Sequence, residues 1–158
     1  MKSRIALGVV LSITVLSLIA RLQTPDPVIG TWVLNLAKSK IAPGPAPKSE
    51  TRVYTGKGLR TMCTVRTTDA DGKSFEGVST YAADGKDYAF NENPSADLMQ
   101  SVTQVDPYTI TATIKESGKV VENIKRVVSK DGKLLTITAT GTNAKGQKID
   151  EVRVYERR

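Results

Sequence analysis

Tyr108-Thr109-Ile110-Thr111-Ala112-Thr113-Ile114-Lys115, followed at once by Glu116-Ser117-Gly118, is a strand and its turn written in sequence. Tyr108, Ile110, Ala112 and Ile114 fall on one face, and Thr109, Thr111, Thr113 and Lys115 on the other. Side chains of a strand point alternately to its two faces, so a strict period of two marks a half-buried strand rather than a helix. The pattern recurs downstream. Leu135, Ile137 and Ala139 alternate with Leu134, Thr136, Thr138 and Thr140, just after the turn pair Asp131-Gly132.

Upstream and downstream the theme continues. Turn signals stand at Gly56-Lys57-Gly58, Asp71-Gly72, Asp84-Gly85, Asp106-Pro107 and Lys145-Gly146. Asp-Gly suits tight hairpins, whose central residues need positive φ. The spacing predicts strands over 30–37, 50–56, 59–69, 74–83, 86–91, 98–105, 108–116, 119–129, 133–142 and 147–157. Connections this short leave no room for helical crossovers and demand antiparallel neighbours. Pro94–Met99 is the best candidate for a helical turn. Consecutive hairpins leave sheet edges that closure removes. The fold class expected is all-β, a single antiparallel up-and-down β-barrel of about 8–10 strands; a two-sheet sandwich competes. Two Phe, one Trp and five Tyr are little bulk for a packed sandwich, and suit a barrel with a partly polar interior or a small cavity.

Residues 1–20 differ in composition from the rest. Lys2 and Arg4 precede an uncharged run from Ile5 to Ala20. As a helix that run spans about 24 Å, short of the roughly 30 Å hydrocarbon core. It reads as a signal peptide, or as an N-terminal anchor if uncut, since Leu18 is larger than the usual residue near a cleavage site. The protein is therefore expected to be exported, periplasmic or secreted, or held at the inner membrane by residues 5–20. Residues 21–29, with Pro25 and Pro27, form a linker, and 30–158 form the barrel domain.

Composition excludes much chemistry. There is no histidine and one cysteine, Cys63, which rules out His-based triads, His-ligated metals and intramolecular disulfides. Cys63 sits in Thr61-Met62-Cys63-Thr64-Val65 and reads as a half-buried strand residue. No paired-carboxylate signature appears, so no catalytic residue, cofactor or metal is expected. Asp69-Ala70-Asp71-Gly72 lacks the further ligands of a calcium loop and reads as a hairpin turn. Lys2 and Arg4 aside, 21 basic and 16 acidic side chains leave +5. That charge reads as solubility, and without an aromatic-plus-basic strand platform no nucleic acid is expected. The expected state is a monomer. Glu122 and Arg126 share a face with Val120, Ile124 and Val128; they read as a surface cross-strand pair because charged side chains seldom bury, with a buried pair or cavity lining as the alternative if that face points inward.

The ends of the domain carry a resemblance. Gly30-Thr31-Trp32-Val33-Leu34-Asn35 resembles the Gly-x-Trp opening of the calycin superfamily, which includes lipocalins and fatty-acid-binding proteins. Val152-Arg153-Val154-Tyr155-Glu156-Arg157 resembles the Arg-x-Tyr-Glu ending of the fatty-acid-binding branch. The stretch Asn35–Lys40, the loop Pro43–Pro47 and Val128–Lys133 also resemble small exported bacterial lipocalin-like proteins. The resemblance implies that the first and last strands pair. It implies that Arg153 and Tyr155 point inward and grip a ligand carboxylate, or that Tyr155 is core and either Arg153 or Arg157 packs across Trp32, beside Gly30, to close the barrel. The implied function is non-enzymatic binding of a small hydrophobic, fatty-acid-like ligand; a ligand-free structural or protein-interaction barrel of the cell envelope is the alternative. The Pro-rich stretch after the first strand cannot supply the helix pair of fatty-acid-binding proteins, so the portal must be built differently or left open.

Overall fold

The computed structural model describes residues 26–92, 97–143 and 145–158. The leader read over 1–20 and Pro94–Ala96 of the helical-turn candidate lie outside them; Leu98 and Met99 belong to a strand. No helix among the described residues is long and apolar enough to cross a membrane. The strands are β1 (Gly30–Leu34), β2 (Ser49–Lys57), β3 (Arg60–Thr68), β4 (Ser74–Ala82), β5 (Asp84–Ala89), β6 (Leu98–Asp106), β7 (Thr109–Glu116), β8 (Lys119–Val128), β9 (Leu134–Thr142) and β10 (Lys148–Arg157). They form one antiparallel sheet in the order β4-β3-β2-β1-β10-β9-β8-β7-β6-β5, curled into a nearly closed up-and-down barrel. It is not a sandwich.

Local chemistry explains most of the turns. Ser117 and Gly118 form the whole loop between β7 and β8, both with positive φ, as a primed hairpin turn requires. The chain starts β7 one residue later than the alternation suggests, because the Asp106 carboxylate accepts the Tyr108 amide and keeps Tyr108 in the turn.

Two predicted features are corrected. The first strand stops at Leu34, not at residue 37. The Asn35 side chain accepts the Lys38 amide and draws Leu36–Lys38 into a single 3₁₀ turn, the usual way Asn competes with a ladder. The chain then rejoins the sheet, where Lys40 exchanges two backbone hydrogen bonds with Val152, each 2.7 Å. The second correction concerns Asp84-Gly85, which is no hairpin. Asp84 accepts the amide of Lys86 inside β5, and Gly85, with φ of 76°, sits where the register slips between Asp84 and Asp87. The turn chemistry makes a bulge, and β4 and β5 end the sheet without a ladder between them.

That seam is bridged by the segment after β5. The Asn91 amide donates to Ser79 Oγ at 3.0 Å. A Cβ at Gly77 would lie 2.5 Å from the Asn91 carbonyl oxygen, so only glycine lets residues 91–92 rest on β4.

The terminal strands close the opposite side. β1 and β10 pair Trp32 with Arg157, Val33 with Glu156 and Leu34 with Tyr155. Trp32, Leu135, Tyr155, Val28 and Cys63 are fully buried and fill the base of the barrel. The indole Nε1 donates to the Val28 carbonyl at 2.7 Å. Arg157 lies over the indole, its guanidinium carbon 4.2 Å from the ring centre, and donates to the carbonyls of Pro27, Ile29 and Gly132. A Cβ at Gly30 would run into that guanidinium, and Gly30 has φ of 139°. Burial pushes the Cys63 thiol up to about 12, so this cysteine is packing and not a nucleophile.

Gly30→Ala is expected to cost about 2 kcal/mol, from overlap and from a backbone angle alanine resists. Urea unfolding followed by the emission of the single tryptophan, Trp32, measures it directly.

Candidate functional site

Above the base the barrel holds a cavity of about 550 Å³, within the range of small-molecule sites. Pro45, Pro47, Ala70, Phe75 and Phe90 line its mouth, so the Pro-rich loop and the β3–β4 turn stand where no helix pair exists. Gly72 and Lys73 donate backbone N–H groups to Asp69 in that turn, the hairpin read from Asp69–Gly72. Register decides the lining. Val102 faces Ala112, Ala112 faces Ile124, and Ile124 faces Ala139, one apolar row across β6 to β9. The neighbouring inward rows carry charge. Ile110 aligns with Arg126, Arg126 with Ile137, and Ile137 with Arg153.

Glu50 organises one wall. It is 3% exposed. Its Oε1 accepts the Tyr155 hydroxyl at 2.6 Å and Arg52 Nε at 2.8 Å; its Oε2 accepts Arg153 Nη1 at 2.6 Å. Arg52 also donates to Glu92 at 2.8 Å and Arg153 to Glu151 at 2.7 Å. Burial pushes the Glu50 carboxyl up, but Arg52 and Arg153 and the Tyr155 hydrogen bond outweigh it and hold the group below 4.5. Burial raises the Tyr155 phenol well above its usual value, so it remains a donor. Arg153 and Tyr155 do lie together inside the barrel, yet the carboxylate they hold is the protein's own.

Arg126 is placed differently. It is 5% exposed, and it lines the cavity with its guanidinium carbon 5.3 Å from the centre of the Tyr54 ring. Nη1 donates to the Tyr81 hydroxyl at 2.6 Å, Nη2 is 3.6 Å from the Asp26 carboxylate, and Nε is buried with no hydrogen-bond partner. Asp26 is 31% exposed, a remote and solvated counter-ion. Glu122 also faces the cavity, nearer the mouth, and no described residue gives it a hydrogen bond or an ion pair. Burial first, and then the Glu151 charge, raise its carboxyl from 4.5 to about 6, against the opposing pull of Arg153 and Arg52. The reading of Glu122 and Arg126 as a surface pair is thus overturned. Their face of β8 turns inward, and the Arg126 charge is shared with Tyr81, Tyr54 and the partly exposed Asp26.

No protein-family profile matches the chain, and no curated protein matches it in sequence. Solved structures do match in shape. A Schistosoma mansoni fatty acid binding protein in complex with arachidonic acid superposes with a TM-score of 0.59 at 15% identity, covering 84% of this chain and 97% of that one. Zebrafish ileal bile acid-binding protein complexed with cholic acid gives 0.56 at 12% identity, covering 84% and 99%. An extracellular fatty acid binding protein gives 0.59 at 19% identity, covering 85% and 98%. The chain shares the up-and-down barrel fold of these proteins. In this barrel Gly30, Trp32 and Arg157 meet at the base, while Arg153 and Tyr155 meet on the Glu50 carboxylate.

The sequence reading missed Glu50, Arg52 and Gln100 as interior groups. Glu50, Arg52 and Tyr54 alternate with Thr51 and Val53, which gave the only signal, and by itself that pattern reads as a solvated outer face.

Two outcomes are expected. Glu50→Gln leaves Arg52 and Arg153 short of a counter-charge and should cost about 3 kcal/mol in urea unfolding at neutral pH. Because the folded Glu50 carboxyl lies below its ordinary value, its contribution vanishes as pH falls through that folded value, and the variant and parent should converge in acid. Glu122 has the opposite sign. Its penalty is absent below 4.5 and complete above about 6, so Glu122→Gln should stabilise the protein at neutral pH and do nothing in acid.

Proposed function

We propose that this protein is an exported, non-enzymatic and monomeric carrier of a small hydrophobic molecule bearing an acid group, such as a fatty-acid-like ligand, and that Arg126 receives the acid. The observation that carries this reading is the buried Arg126 Nε without a partner, on the wall of a cavity whose other surfaces include Val102, Ala112, Ile124 and Ile137. A buried donor left unmade is costly, and a charge-assisted hydrogen bond to a carboxylate is among the strongest ways to satisfy it. Arg153 and Tyr155 take the second rank. The Tyr155 hydroxyl and the Nε and Nη1 of Arg153 already serve Glu50 and Glu151, so a ligand carboxylate there would compete with the protein's own. They serve the site by neutralising Glu50, which otherwise would repel an acid.

Solved proteins of the same fold hold arachidonic acid and cholic acid, both lipids with a carboxyl group, which supports the ligand class. One of the same fold is extracellular, which supports export together with the basic-then-apolar start of the chain.

Displacement of a dansyl-labelled fatty acid tests the proposal. Dodecanoate should compete in the parent protein, and Arg126→Gln should weaken it by about tenfold or more while leaving the uncharged dodecanol nearly unchanged. Equal weakening of both would show that Arg126 does not recognise the acid. Failure of both compounds to bind would leave the ligand-free barrel as the better account.

A further inference from the structure

Gln100 and Glu122 present a second polar station in the same cavity, away from Arg126. Gln100 is 4% exposed, and its amide Nε2 is buried with no hydrogen-bond partner. Both residues lie opposite Ile114, Gln100 from β6 and Glu122 from β8, so they belong to one inward row. Their Cα atoms are therefore two strand spacings apart, about 10 Å, on either side of Ile114. Glu122 offers acceptors that no described residue uses, while Gln100 offers a donor that none accepts.

A missing acceptor beside a missing donor specifies what fits between them. An ammonium satisfies Glu122 but turns more donors toward Gln100. A methyl group satisfies neither side chain. A second carboxylate would accept from Gln100 but meet the charges of Glu122 and Glu151. Of these groups only a hydroxyl both donates and accepts, and so completes both side chains without adding charge.

We infer that the ligand is a hydroxy acid, its acid on Arg126 and a terminal hydroxyl held between Gln100 and Glu122 toward the mouth. This rests on the reading of Arg126 as the acid's partner. Glu122 and Arg126 are four residues apart on one face of β8, about 13 Å at the rise of a strand. Between them the wall is apolar, made by Val102, Ala112, Ile124 and Ala139. The β6–β9 wall of the cavity is thus polar at two separated points and apolar along the path that joins them, which suits a chain with different polar groups at its two ends.

Calorimetric titration of the protein with four acids of equal chain length decides the matter: dodecanoate, ω-hydroxydodecanoate, ω-aminododecanoate and dodecanedioate. The hydroxy acid should bind about tenfold more tightly than dodecanoate, and the amino acid and the diacid no more tightly than dodecanoate. Gln100→Leu and Glu122→Leu should each abolish the preference while dodecanoate still binds, and Glu122→Gln, which keeps an acceptor, should retain part of it. Equal affinity for dodecanoate and its hydroxy form, or a preference that survives both leucine variants, overturns the inference and leaves the role of Arg126 intact. An amino acid that outranks the hydroxy acid also overturns it, since Glu122 would then be acting without Gln100. Absence of binding by every acid overturns both readings together.

Discussion

The pairing of β1 with β10 is the constraint on which this barrel depends. Every other ladder in the sheet joins strands that follow one another in the chain, and each of those forms from a local hairpin or connection. β1 alone splices the group β2–β4 to the group β5–β10, because β4 and β5 meet without a ladder. The splice is short, three residue pairs and the Lys40–Val152 bridge, and backbone hydrogen bonds of that number would hold two strand groups weakly. Side chains reinforce it at two levels along the inner face of the strand. Arg157 crosses Trp32 at the base, and inside the barrel the Glu50 carboxylate on β2 reaches past β1 to Tyr155 and Arg153 on β10.

This reinforcement shapes the chemistry of the cavity. A buried carboxylate surrounded by two guanidinium groups and a phenol ties strands together by engaging donors on all three. The charged groups on the wall made by β2 and β10 are consequently paired with one another. The wall made by β6 and β8 keeps unpaired groups, since Arg126 Nε and Gln100 Nε2 have no partner and no described residue forms a hydrogen bond or an ion pair with Glu122. Buried polar groups in folded proteins are nearly always paired, so leftover donors and acceptors facing one cavity mark where a ligand's polar atoms belong. In the proposed function the division of labour is between a wall that holds the barrel shut and a wall that would recognise the ligand.

Sequence legibility followed the range of the interactions. The strands were legible because alternation and turn chemistry act over a few residues, as in Tyr108–Lys115 and Ser117-Gly118. Where local signals failed, a second local preference had intervened: the Asn35 side chain ended β1 early, and Asp84 bonded the Lys86 amide inside β5 in place of forming a hairpin. The end motifs pointed to Arg153 and Tyr155, and both do lie in the interior. Glu122 and Arg126 were misread because period two gives two faces without saying which is inside, and charge argued for the wrong one.

The order of residues by itself determined that the chain is all strand, where its hairpins turn, that its ends resemble those of a calycin barrel, and that histidine and disulfide chemistry are absent. Those properties depend on neighbours in sequence or on composition alone. Only the tertiary structure decided which charges are neutralised and which are left over. Glu50 meets Arg153 across 103 residues of chain, and nothing within a single strand encodes that meeting. A side chain's availability to a ligand is set by the partners it has already found, and those partners come from other strands that closure of the barrel brings near.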